Sequence, residues 1–197
     1  MLEAYNISFA YPQHAPLFEN LNLCVLPDER VALSAPSGFG KTTLAKILSG
    51  YLAPTKGTVS CDDKPLLVKG FSPVQLIWQH PEMVVDPRLR LEKTLSEAGS
   101  YSLDLLERLG IRQEWLGRYP HELSGGELQR ICIARALVTN PRYLIADEMT
   151  TMLDAVTQAR IWKVLLEEVE RAHIGLIFVS HAPALSQRIA TRIVTLG

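Results

Sequence analysis

Residues 31–48 read VALSAPSGFGKTTLAKIL: an apolar run, a loop carrying Gly38, Gly40 and Lys41, then a helical pattern. Strand, glycine loop and helix in that order are the context a phosphate-binding loop requires, and they tie the chain to an α/β architecture. Of the four fixed positions in GxxxxGK[ST], Ala35, Gly40, Lys41 and Thr42 fill them, and three agree. Such a loop turns successive backbone N–H groups toward phosphate oxygens at a helix amino terminus, where the dipole and the unpaired donors favour an anion. Ser37, Gly38, Phe39 and Gly40 are then the backbone cradle, and Lys41 reaches the β- and γ-phosphates. The Thr42 hydroxyl binds Mg²⁺, and Thr43 is a further phosphate contact. A methyl at Ala35 costs something only if that residue needs positive φ or lies against another backbone, and the sequence leaves this open.

The rest of the chain is consistent with one domain. At 197 residues and 47% hydrophobic it can bury a sizeable core, and no repeat, low-complexity tract or glycine-serine linker divides it. Apolar runs at 31–34, 74–78, 143–146, 175–179 and 192–196 predict buried strands of a mostly parallel sheet. Helical patterns fall between them at 43–49, 103–109, 126–138 and 155–171. Near the start, residues 3–9, 22–26 and 58–61 alternate around turn residues, which predicts a small antiparallel sheet within about 1–30 and 57–70. Lys plus Arg (20) nearly balance Asp plus Glu (21), so no global field points to nucleic acid. Cys24, Cys61 and Cys132 are far apart, with no CxxC spacing, which argues against disulfides and zinc and for a reducing cytoplasm. No signal-like start and no run of about 18 apolar residues is found, so neither secretion nor a membrane span is expected.

Two further motifs carry charge chemistry. The run Tyr143-Leu-Ile-Ala-Asp-Glu ends a strand in two acids: Asp147 suits a Mg²⁺ shell and Glu148 a general base on the attacking water. The bland alternative is that the acids cap the next helix. Upstream, Leu123-Ser-Gly-Gly-Glu-Leu-Gln-Arg precedes a helical pattern, and Ser124, Gly125 and Gly126 make a second anion-binding amino terminus. One nucleotide has one γ-phosphate, so two such sites in one chain imply a head-to-tail pair in which the serine loop of one copy covers nucleotide held by the other.

With LSGGE lying between the phosphate loop and the acid pair, the chain resembles the nucleotide-binding subunit of ATP-binding cassette (ABC) transporters nearly from end to end. The resemblance implies a P-loop NTPase fold with a mostly parallel sheet, helices on both its faces, a small antiparallel β part, and a helical signature subdomain over about 82–130. It also implies an ATPase. Tyr11, in Phe-Ala-Tyr-Pro, takes the adenine-stacking role; Gln79, in Leu-Ile-Trp-Gln-His-Pro, senses Mg²⁺ and the attacking water. His181, in Phe-Val-Ser-His-Ala, is the switch histidine at the γ-phosphate, and Asp154, in Thr-Thr-Met-Leu-Asp, belongs to the loop that crosses the dimer interface. The chain departs from the family pattern at Ala35, at Glu127 in place of the glutamine of LSGGQ, and at Met149 in place of the proline of DEPT. Glu127 adds negative charge near the nucleotide bound by the other copy, which bears on dimer closure rather than on the chemistry.

After Gln79, His-Pro-Glu-Met-Val-Val-Asp-Pro-Arg resembles the stretch found in oligopeptide, dipeptide and nickel importer ATPases. That branch implies ATP and Mg²⁺ as cofactors, and as partners permease subunits, a second ABC ATPase subunit and, indirectly, a substrate-binding protein, with no nucleic acid. Its place is the cytoplasmic face of the inner membrane, held peripherally. Residues from about Pro87 to Pro120 would receive a coupling helix of the permease, and the carboxy-terminal extension of many members is missing after the last strand. Two other classes compete: a soluble cassette ATPase acting on nucleic acid or ribosomes, which usually has tandem cassettes or basic arms, and a weakly hydrolysing regulator.

Overall fold

The computed structural model describes residues 1–36, 38–66, 71–151, 153–180 and 182–196. In chain order the elements are β1 (Leu2–Phe9), β2 (Phe18–Val25), β3 (Arg30–Ser34), α1 (Lys41–Leu48), β4 (Lys56–Cys61), β5 (Lys64–Pro65) and β6 (Val74–Ile77). They continue as α2 (Leu91–Ser96), α3 (Leu103–Arg108), α4 (Gly125–Val138), β7 (Tyr143–Asp147), α5 (Ala155–Arg171), β8 (Gly175–Val179), α6 (Pro183–Ile189) and β9 (Arg192–Thr195). The chain forms two compact units, residues 1–76 with 142–147 and 173–197, and residues 77–141 with 148–172.

The first unit holds both expected sheets. One is antiparallel, in the order β2-β1-β4-β5; the other runs β6-β7-β8-β3-β9, with β7, β8, β3 and β9 parallel to their neighbours. Every residue of β7 and β8 is buried, as expected of apolar runs covered on both faces. α1 buries Thr43, Leu44, Ala45, Ile47 and Leu48 and packs on β7. Within β1 the pairing with β2 and β4 shifts beside Asn6, whose φ is 51°. That bulge brings backbone close to Gly57 (φ +81°): a Cβ there would meet the Asn6 carbonyl oxygen and come within 2.5 Å of the Tyr5 carbonyl oxygen. Only glycine fits a left-handed residue pressed against backbone in this way.

In the second unit α3 is fastened to α5 by charge. The Arg108 guanidinium bonds Glu167 at 2.7 Å and also reaches buried Glu168, which Arg171 bonds as well. Arg160 closes the carboxy end of α3, donating to the Arg108 carbonyl at 3.0 Å and the Glu107 carbonyl at 2.8 Å. Burial pushes the Glu168 carboxyl up, but the hydrogen bonds from Arg171 and Arg108 outweigh it and hold its pKa below the usual range.

Several boundaries differ from the sequence reading for identifiable reasons. α1 begins at Lys41 rather than Thr43, because Gly40, at φ 95°, already offers its carbonyl to the Leu44 N–H. The strand expected from Asn22 starts at Phe18, where pairing with Phe9 begins. The strand expected to reach Trp78 stops at Ile77, the helix expected from Gly126 opens one residue earlier at Gly125, and α3 closes at Arg108 with Leu109 as its cap. The six-residue α2 and seven-residue α6 are too short to show a helical period.

Two stability outcomes follow. Gly57→Ala lowers the melting temperature with a loss of about 2–4 kcal/mol, since it adds overpacking to backbone strain; calorimetry measures it. Arg108→Met costs about 2 kcal/mol, the worth of a charged hydrogen bond to a buried carboxylate. Because the folded pKa of Glu168 is depressed, this stabilisation is full above the unfolded carboxyl value and fades as pH falls through the folded one. The deficit of Arg108→Met against the parent therefore shrinks in acid melts.

Candidate functional site

The phosphate-loop residues sit between β3 and α1 in the first unit, where a buried strand ends and a helix begins. Gly38 and Gly40 have φ of 83° and 95°, and a Cβ on Gly38 would meet open space while one on Gly40 would strike Leu17. The loop thus needs its glycines for conformation at both positions and for room at the second. Ala35 has no positive φ, so its methyl carries no left-handed strain. Its carbonyl accepts from the Lys41 ammonium at 3.0 Å, and the Pro36 carbonyl does so at 3.1 Å, so Lys41 arches back over the loop. Phe39 stacks on Phe18 with centroids 6.2 Å apart, fixing the loop's crown to β2.

Thr42 leaves α1 exposed, while Thr43 is buried and its hydroxyl lies 3.1 Å from that of Tyr11. Tyr11 is 42% exposed, and its ring stands nearly perpendicular to that of Phe9 with centroids 4.9 Å apart. Asp147, 3% exposed, ends β7, the strand on which α1 packs. Tyr11, Gly38, Phe39, Gly40, Lys41, Thr42, Thr43 and Asp147 therefore all belong to the first unit. Ser37 and His181 lie outside the described residues.

Gln79, Ser124, Gly125, Gly126, Glu148 and Asp154 belong to the second unit. Glu148 takes φ 49°, a left-handed conformation uncommon for its residue type, and its carboxylate accepts from the Gln79 amide at 3.2 Å. It caps no helix: the N-cap of α5 is Asp154, whose carboxylate accepts from Val156 N–H at 3.1 Å and Thr157 N–H at 3.0 Å. The Thr157 side chain foremost, then these backbone N–H groups, hold the Asp154 carboxyl below the usual range. Ser124 is the N-cap of α4, and Gly125 and Gly126 form the helix's first turn rather than a loop ahead of it. Together with Glu127, Arg130, Leu153 and Asp154 they line a cavity of about 440 Å³. A Cβ on Gly126 would lie 2.7 Å from Leu153 Cδ2, so the glycine admits that side chain against the helix start.

Three residues of α4 had no assigned role in the sequence. Gln129 donates to the Trp78 carbonyl at 2.9 Å, Cys132 to the Pro81 carbonyl at 3.8 Å, and Arg135 to the Val84 carbonyl at 2.8 Å. Side chains three apart on the helix thus meet carbonyls three apart on the segment that follows Gln79. Burial pushes the Cys132 thiol up to about 12, which keeps it a neutral donor. The available signal was Gln129, a polar residue set among the buried Leu128, Ile131 and Cys132.

Comparison with known proteins places this arrangement. The family model described as ABC transporter matches residues 18–151. The glutathione import ATP-binding protein GsiA of Pectobacterium atrosepticum is 35% identical over 194 residues, covering 89% of this chain and 31% of its own length. The chain thus spans about a third of that relative. The nickel import ATP-binding protein NikE of Escherichia coli is 32% identical over 203 residues, covering 93% of this chain and 76% of its own. Among solved structures, the dimeric post-hydrolysis state of the ATP-binding cassette MJ0796 bound to ADP and Pi is 25% identical, with a TM-score of 0.85, covering 100% of this chain and 94% of that one. The family model covers more than half of the chain, the NikE relative is 32% identical across most of it, and the chain belongs to the ABC transporter family.

Proposed function

We propose that residues 1–197 act as a single ATP-binding and ATP-hydrolysing domain that powers an importer of small peptides or metal chelates. The observation that carries this reading is the Gln79–Glu148 hydrogen bond at 3.2 Å. A carboxylate that merely ended a strand or capped a helix would not be turned to φ 49° and held by an amide. The glutathione and nickel import proteins among the relatives support the cargo class, and the dimeric MJ0796 cassette supports action as a dimer, which the two anion sites of one chain make head-to-tail.

ATP fits the first unit by the loop's left-handed glycines, the Lys41 ammonium and the half-open Tyr11 ring. The donor set also fits Mg²⁺: the Thr42 hydroxyl and the Asp147 carboxylate are hard oxygen ligands on elements that pack together, α1 and β7; the amide oxygen of Gln79, the third ligand that the family resemblance implies, lies in the second unit. When bound, that ion would neutralise phosphate charge. The loop amides and Lys41 hold and orient the triphosphate. Glu148 orients the attacking water and takes its proton, Gln79 holds Glu148 in place, and His181 meets the γ-phosphate. Ser124, Gly125 and Gly126 of a second copy cover the same phosphate, with Asp154 at the face between copies. The ATPase would sit against permease subunits at the cytoplasmic side of the membrane; among the described residues no helix is long and apolar enough to cross one.

Glu148→Gln cuts Mg²⁺-dependent phosphate release by at least about a hundredfold, the scale of a lost general base, with ATP binding retained; undiminished release removes Glu148 from that role. Ser124→Arg leaves ATP binding by the monomer intact and abolishes ATP-driven dimers on size-exclusion chromatography, and turnover surviving that change defeats the head-to-tail model.

A further inference from the structure

Ser124 and Glu127 hold each other in a reciprocal box at the start of α4. The Ser124 N–H donates to Glu127 Oε2 at 2.8 Å, the Ser124 hydroxyl donates to the same oxygen at 2.9 Å, and the Glu127 N–H donates to Ser124 Oγ at 3.4 Å. A serine hydroxyl has one proton, and a carboxylate of its own helix has it. Both donors that Ser124 could offer a phosphate, N–H and O–H, are therefore already directed at an anion.

We propose that Glu127 is a positioning residue that competes with nucleotide phosphate for Ser124, so that ATP held by a second copy must displace a built-in carboxylate before the serine-capped helix closes on it. The proposal rests on the head-to-tail reading above and gives the chain's departure from LSGGQ a specific physical consequence.

Three observations support it. The start of a helix attracts negative charge, and here the first claimant is internal. The carboxylate is kept ionised: chiefly the Ser124 N–H bond, then its hydroxyl and the nearby Arg118 and Arg130, hold Glu127 below the usual range despite partial burial. Arg130, the cation on the wall of the adjoining cavity, is itself committed, donating to the Gly110 carbonyl at 3.0 Å with its guanidinium 5.8 Å over the Trp115 ring. It offsets the charge of Glu127 from a fixed position and leaves the carboxylate on Ser124. A glutamine at 127 would keep the shape and an acceptor oxygen for the box but would bind the serine donors as a neutral group and repel no phosphate.

A helix-capping role and a competing role predict opposite outcomes for alanine. The full-length chain is prepared with Glu148→Gln to block turnover, then with Glu127→Gln or Glu127→Ala added. Binding of a fluorescent ATP analogue to the monomer and ATP-driven dimer formation by light scattering are measured on each. Competition predicts that the ATP concentration for half-maximal dimer falls by about tenfold for Gln, the difference between a charged and a neutral hydrogen bond. It predicts a fall for Ala too, although Ala loses the box and melts at lower temperature, and adding Ser124→Ala removes the gain. If Glu127 only caps α4, Ala dimerises no better than the parent or worse, and the proposal is overturned. ATP binding to all three monomers with equal dimerisation overturns this proposal alone; failure of the Glu148→Gln parent to bind ATP overturns the proposed function and this inference together.

Discussion

The peptide unit joining Asp147 to Glu148 is the constraint on which the proposed chemistry depends. Two carboxylates in succession along a strand would ordinarily face opposite sides of the sheet, one buried at a cost and one in water. Here β7 stops at Asp147, which remains 3% exposed at the strand tip, and the backbone turns left-handed at Glu148. That turn costs about 1 kcal/mol or more for a residue with a side chain, and the hydrogen bond from Gln79 helps hold it. Two acids adjacent in sequence thus have different surroundings, one buried at a strand tip and the other held by an amide.

Charge is handled differently within the second unit. Arg108, Arg160 and Arg171 all serve α3 and α5: carboxylates at Glu167 and Glu168, and carbonyls at the end of α3. Arg130 serves a carbonyl and an indole face. These guanidinium groups are structural clamps, chosen for their planar fork of donors. In the proposed site a near-neutral chain would meet a highly charged nucleotide with backbone N–H donors and one lysine rather than with an excess of arginine.

The phosphate loop, the strand-terminal acids and the serine before α4 were legible because their chemistry is local: each needs particular residues within about ten positions of one another. The strands of the parallel sheet were legible for the same reason, being continuous apolar runs. The bulge at Asn6 was not, since its meaning lies in Gly57, fifty-one residues on, whose missing Cβ makes room for it. Nor was the difference between Asp147 at the tip of β7 and Glu148 just after it, which period-two alternation alone does not assign. Ala35 showed the limit most directly: the residue was visible, but its cost depended on a dihedral angle that the surrounding fold sets.

The rungs that join Gln129, Cys132 and Arg135 to the carbonyls of Trp78, Pro81 and Val84 make one stiff body of two chain segments. α4 is 14 residues long, about 20 Å as a rod, with Ser124 capping its tip. The rungs are three residues apart along its length, so residues 78–84 cannot slide along the helix without breaking all of them. A push on that segment is therefore delivered to the serine end as displacement of a rigid rod, with little lost to bending. Gln79, lying between the first two rungs, travels with it, so the amide that holds Glu148 and the hydroxyl that would meet a second copy's phosphate move on one shaft.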